Sequence, residues 1–185
     1  MNLGYVISTI IAGMVLLSLL ALNSRIMRGS GEQTLYTMAK IQSDMVVDYV
    51  KEDMRIMGYR VDGNVIVDAE ANRIRFRSRP NESNDDIMEI EWFFHEAAGS
   101  SGRNPNVRPL YRIENNGDEV SIGSGVVEFR LVYFNATRDT LPAPVANTDE
   151  IRQIYLEIMT ESLDSYDLNR FERSTWSGLI TPFNL

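Results

Sequence analysis

The hydrophobic pattern divides the chain into three stretches with three different periods. From Leu3 to Leu22 there is no period at all: LGYVISTIIAGMVLLSLLAL is apolar on every side of a helix and carries no charge over 20 residues. A helix rises about 1.5 Å per residue, so this stretch reaches about 30 Å, the thickness of a bilayer's hydrocarbon core. The side chains expected to face lipid or other apolar helices are Leu3, Tyr5, Val6, Ile7, Ile10, Ile11, Met14, Val15, Leu16, Leu17, Leu19, Leu20 and Leu22. Ser8, Thr9 and Ser18 can bond back to the helix backbone, and Gly4 and Gly13 are tolerated in a membrane helix.

From Glu32 to Met57 the period becomes helical. Leu35, Met38, Ile41, Met45, Val46, Tyr49, Val50, Met54 and Met57 recur at steps of three and four, against a face bearing Lys40, Asp44, Asp48, Lys51, Glu52 and Arg55. Gly29-Ser30-Gly31 between the two halves predicts a flexible joint or a melted turn, and Gly58 predicts the helix stop. Beyond Arg60 the period falls to two. Strands are predicted at Val65–Val67, Asn72–Ser78, Ile87–His95, Arg108–Ile113, Glu119–Ile122 and Val126–Phe134, the last with Val127, Phe129, Leu131 and Tyr133 on one face. Asn135–Asp149 reads as a loop and Ile151–Thr160 as the last long strand.

The plan is α+β: a long N-terminal helix, transmembrane then amphipathic, packed on an antiparallel β-sheet. Its three parts are residues 1–24 as the transmembrane helix, 25–58 as the amphipathic continuation and 59–185 as a β-rich globular domain. A secretory signal fits the opening less well. Met1-Asn2 adds no basic side chain, and Ala21-Leu22-Asn23 is a poor cleavage site. A buried core helix is rarely apolar all round for this length. Arg25 and Arg28 follow the apolar stretch, so charge alone favours a cytoplasmic domain, against the extracytoplasmic placement adopted below.

Charge and composition remove several chemistries. The net charge of −8 argues against nucleic acid as a main partner. The one dense basic cluster, Arg73, Arg75, Arg77 and Arg79, alternates and so lies on one strand face, where acidic neighbours are expected to pair with it. With no cysteine there is no disulfide, zinc-thiolate site or thiol nucleophile. His95 is the only histidine, which leaves no convincing catalytic triad. Asn84, Asp85 and Asp86 supply oxygens for calcium, though one loop falls short of its usual ligand count. Glu89 and Glu91 share a strand face without a neighbouring nucleophile. Asn81-Glu82-Ser83 and Asn135-Ala136-Thr137 match the N-glycosylation pattern. No catalytic residue, metal site or cofactor is assigned.

The helix closes in Asp53-Met54-Arg55-Ile56-Met57-Gly58-Tyr59-Arg60, which resembles the "D-x-R-x-x-G-Y" close found in the type IV pilin-like superfamily. Val126–Phe134 (VVEFRLVYF) is similar to that group's "v-x-F-x-x-x-Y" strand, and the terminal Ile180–Leu185 resembles its C-terminal close, with Phe183 where Arg is usual. The likeness is strongest to the large minor members, the J-type minor pseudopilin of type II secretion and the W-type minor pilin. It implies a structural, non-enzymatic subunit of a filament or secretion apparatus. Membrane lipid and other pilin-like subunits, met through the N-terminal helix, would be its partners. It further implies a single-pass inner-membrane protein with its domain in the periplasm, or outside the cell in a filament. Asp53, Arg55, Gly58 and Tyr59 would form the helix close, and Gly4-Tyr5 the processing junction. The N-terminus is divergent: Met1–Gly4 has no basic residue, and Thr9 stands at the fifth position after that junction, where the family has Glu. The reading from another class is a membrane-anchored extracytoplasmic binding module outside any filament.

Overall fold

The computed structural model describes residues 3–79, 86–95, 103–123, 125–165, 170–182 and 184–185. It is α+β, a long N-terminal helix against antiparallel sheets. Helix α1 runs unbroken from Leu3–Arg55 over 53 residues, about 80 Å at the standard rise. Gly29-Ser30-Gly31 is helical throughout and forms no melted turn: Thr34 Oγ1 donates to Ser30 O at 2.9 Å within continuous helix. The expected back-bonds are present, from Thr9 to Tyr5 O (2.6 Å) and from Ser18 to Met14 O (2.8 Å).

The strands are β1 (Ile66–Ala69), β2 (Arg73–Ser78), β3 (Met88–Phe94), β4 (Leu110–Glu114), β5 (Val120–Ser121), β6 (Val126–Phe134), β7 (Thr140–Leu141), β8 (Gln153–Glu161) and β9 (Arg173–Ile180). They form two antiparallel sheets rather than one. Sheet A has the order β1-β2-β3-β4-β5, and sheet B the order β7-β6-β8-β9. Two expectations fail here. Asn135–Asp149 holds β7 and a short 3-10 turn at Thr148–Glu150, and β8 is not the last long strand, since β9 follows and pairs with it over eight residues. A bulge between Val126 and Glu128 also shifts the face of β6. Val126 enters the core and Val127 is only half-buried, while Phe129, Leu131 and Tyr133 point inward as expected.

One core serves all three layers. Val46, Val50 and Met54 from α1, Ile74, Phe76, Ile90 and Trp92 from sheet A, and Phe129, Leu131, Ile154 and Ile158 from sheet B form a single buried cluster. The sheets join where Leu131 N donates to Ala71 O (2.7 Å) and the Tyr133 hydroxyl to Glu70 O (2.7 Å). The arginine face of β2 pairs across to β3 as expected. Arg73 meets Glu91 at 2.8 Å, and Arg75 and Arg77 meet Glu89 at 3.6 and 3.2 Å. The two strand carboxylates are therefore taken up by the arginine ladder.

Candidate assembly surface

The helix is the feature that the rest of the chain does not use up. Its first half is uncovered: Leu3, Tyr5, Ile7, Ile10, Ile11, Met14, Val15, Leu16, Leu17, Leu19, Leu20 and Leu22 are all exposed, and Val6 is half-exposed. None of its most apolar window is buried within the chain, and by length and composition it can cross a membrane. Gly4 and Gly13 have open space around them.

The second half divides the predicted stripe in two. One part faces the sheets: Ala39, Ser43, Val46, Val47, Val50, Asp53, Met54 and Met57 are buried. The other part does not. Met38, Ile41, Met45 and Tyr49 are each more than half exposed. The division follows from helical geometry, because the centre of residues 41, 45 and 49 lies about 130° around the axis from the centre of residues 39, 43, 46 and 50. The charged flank, with Lys40 bridged to Asp44 at 3.7 Å, lies between them.

The exposed part continues toward the N-terminus as a heptad seam. Leu20, Ser24, Met27, Gly31, Thr34, Met38, Ile41 and Met45 follow in alternating steps of four and three, all uncharged and all exposed, until Asp48 ends the series. Extended back through Leu3–Leu22 the same spacing meets Leu17, Gly13, Ile10, Val6 and Leu3, though every face is apolar there. Gly31 has nothing within 4 Å of where a side chain would project, so no contact among the described residues accounts for its size.

The helix close is built around Asp53. Its carboxylate is buried and accepts from Trp92 Nε1 (2.9 Å), Arg112 Nε (2.6 Å) and Arg112 Nη2 (3.1 Å), which clamps the end of α1 to β3 and β4. Those bonds, together with one to Glu114, raise the Arg112 guanidinium above its ordinary range. Gly58 sits at φ 72°, donates its N–H to Arg77 O (2.9 Å), and has Asn184 O 2.9 Å from where a Cβ would lie. Only glycine suits that conformation and space. Tyr59 O accepts from Arg79 N (2.9 Å), extending the join to β2, whereas exposed Arg55 makes a surface pair with Glu52 (3.6 Å). Of the four predicted close residues, Asp53 and Gly58 hold the structure, Tyr59 lends a carbonyl, and Arg55 points its charge along the helix surface.

A second polar cluster was not foreseen. Glu161 is buried at the end of β8 and accepts from Asn104 Nδ2 (2.9 Å), Asn106 Nδ2 (2.9 Å) and Arg173 Nε (2.5 Å). Burial pushes the Glu161 carboxyl up, but the three donors outweigh that and hold it below the ordinary range. The cluster pins the segment before β4 to the β8–β9 hairpin and borders a cleft of about 430 Å³ lined by Phe94, Arg108, Met159 and Arg173. Among the described residues no three His, Cys, Asp or Glu side chains converge as a metal site. Asn84, Asp85 and the sequon at Asn81 lie outside the described residues. Asn135 Oδ1 accepts from Thr137 N (3.0 Å) and Asp139 N (2.8 Å) in a local turn. His95 lies beside the Phe93 ring, with centroids 5.5 Å apart. No protein-family model and no curated protein matches the chain.

Proposed function

We propose that the chain is a membrane-tethered structural subunit, of minor-pilin or pseudopilin type, that assembles with similar subunits through α1. The observation that carries this reading is the exposed seam from Leu20 to Met45. A simple tether needs an apolar span and nothing more. Here an uncharged face runs well past the span, beside a domain whose core is already filled by the opposite stripe. A 3.5-residue repeat suits packing against another helix with a left-handed twist, and small residues such as Ser24 and Gly31 allow close approach.

In this reading Leu3–Leu22 holds the subunit in the inner membrane, with its domain in the periplasm. Entry into a filament or tip complex of a type IV pilus or type II secretion apparatus moves that stretch from lipid to a bundle of like helices. Both surroundings are apolar, so the exchange has little transfer cost. Replacing Leu3–Leu22 by an unrelated apolar helix tests it. Membrane retention should survive and co-purification with neighbouring pilin-like subunits should be lost. Unchanged association, or a wild-type chain that is never found in such a complex, supports the plain membrane-anchored binding module instead.

A further inference from the structure

We propose that the free edge of β9 receives an extended, uncharged segment of a different polypeptide, added to sheet B as a fifth strand running antiparallel to β9. Among the described residues four strands end a sheet. Three are blunted: β5 and β7 are two residues long, and β1 is four residues long with an irregular register between Ile66 and Asp68. The fourth, β9, is eight residues long, with continuous register and no proline or bulge. Its one charge is terminal Arg173, already bonded to Glu161 at 2.5 Å. The usual devices that protect an edge are therefore absent along Ser174–Ile180.

The ladder shows which groups are open. Ser162 N donates to Glu172 O (2.8 Å), and the β8–β9 register continues in step through Thr160↔Ser174, Ile158↔Trp176, Leu156↔Gly178 and Ile154↔Ile180. Hydrogen-bonded pairs alternate in an antiparallel ladder, so the even-numbered residues of β9 bond to β8. Thr175, Ser177 and Leu179 then present their N–H and C=O groups outward, with no partner for them among the described residues. An added strand would gain its affinity from those main-chain groups.

Geometry selects the occupant. Strand β9 runs alongside α1 in the same direction. Thr160, opposite Ser174, donates to Ala39 O (3.1 Å), Lys51 Nζ lies 5.6 Å from the Trp176 ring, and Asn184 donates to Met57 O (3.4 Å). Antiparallel pairing of two β9 strands would need a twofold axis normal to the sheet. That axis would reverse the second α1 and point the two apolar halves opposite ways. Two copies tethered in one membrane cannot pair so, a step that rests on Leu3–Leu22 being the anchor. The other edge strands are too short to fill eight positions. What fits is a strand from another protein, neutral where it meets Thr175, Ser177 and Leu179. A β-branched residue suits the position beside half-buried Trp176.

The test uses full-length protein in detergent and an acetylated, amidated octapeptide of alternating Thr and Val as the added strand. Amide exchange at Thr175, Ser177 and Leu179 should slow at least about tenfold at saturating peptide, with the even-numbered β9 amides unchanged. Ser177→Ala should behave as wild type. Ser177→Pro removes one outward N–H while leaving the ladder to β8 intact, and should lose the protection. The same peptide N-methylated along its pairing edge should give none, a control that does not depend on how the proline variant folds. Absent slowing, or equal slowing with the methylated peptide, overturns the proposal. So does concentration-dependent self-association without peptide that Ser177→Pro abolishes, since the occupant would then be a second copy. The readout is confined to β9, so its result is independent of whether α1 packs with other helices.

Discussion

The two apolar faces of α1 between Thr34 and Arg55 have similar composition and opposite fates. Val46, Val50 and Met54 are fully buried against the sheets, while Met38, Ile41 and Met45 stand more than half exposed about a third of a turn away. Hydrophobicity alone does not separate them. The buried face is marked by what accompanies it: Ala39 and Ser43, small enough for close packing, and Asp53, whose charge is fully met by Trp92 and Arg112. The exposed face is marked by a heptad spacing that continues past the domain toward the apolar half. One face is satisfied within the chain, and the other is left exposed and is, in the proposed reading, where another helix packs. Substitutions on the first should therefore act on stability, and on the second on association.

The largest effect is expected at Asp53. Truncation by Asp53→Ala leaves the Arg112 guanidinium and the Trp92 N–H without their buried acceptor, and breaking a buried pair from one side costs about 3–5 kcal/mol. Urea unfolding should show that loss. A change below about 1 kcal/mol, the size of an ordinary exposed ion pair, would mean that the clamp does not join the helix to sheet A. A smaller loss is expected at Gly123, which has φ 73° and whose Cβ would fall 2.3 Å from Val46 Cγ2. Gly123→Ala combines a left-handed backbone with an overlap against the buried face, a cost of about 1–3 kcal/mol. Pairing it with Val46→Ala should recover part of the loss if the overlap is its cause.

The Glu161 cluster sets an acid limit on the domain side. Its carboxyl is held below its ordinary range when folded, so its stabilising contribution is complete above the unfolded value, about 4.3 for Glu. It is lost as pH falls from there through the folded value. Glu161→Gln should be less stable than wild type at pH 7, by about 1–2 kcal/mol, since a neutral amide accepts more weakly from Arg173. The gap should close as pH falls below the unfolded value and through the lower folded one. A gap that stays constant would show that the carboxylate charge is not what the cluster stabilises.

The sequence made the helix and its stop legible because both rest on local rules: an apolar span, a 3.6 period and a glycine at positive φ. It also placed the arginine face of β2 against acidic neighbours. The sheet count was not legible. Alternation in β2, β3, β6 and β8 says which side chains turn inward, not which sheet they belong to. Strand β9 was missed because RSTWSGLI is mostly small and polar, and its inner face is only half-buried beside α1, so it needs no strong apolar alternation. Asp53 was noticed as part of a motif, but Trp92 and Arg112 lie 39 and 59 residues away, beyond any local signal. The exposed seam was visible in part, merged with the buried stripe until the packing separated the two.

The smallest effect on stability should carry the sharpest distinction between the faces. Gly29 and Gly31 both lie in continuous helix with nothing within 4 Å of where a Cβ would project, so Leu at either should raise helix stability by up to about 1 kcal/mol. They differ only in direction, since Gly31 lies on the seam between Met27 and Thr34 and Gly29 does not. The chain has no cysteine, so Met38→Cys, paired with a single cysteine introduced on the facing helix of a neighbouring pilin-like subunit, reports helix contact in membranes by oxidative disulfide cross-linking. In that background Gly29→Leu should leave the cross-linked yield unchanged. Gly31→Leu should cut it several-fold, because a bulky side chain at a close helix crossing holds the two backbones apart. Equal yields from both variants would mean that the exposed face is not where helices meet, and its heptad spacing would then be incidental to the apolar tether.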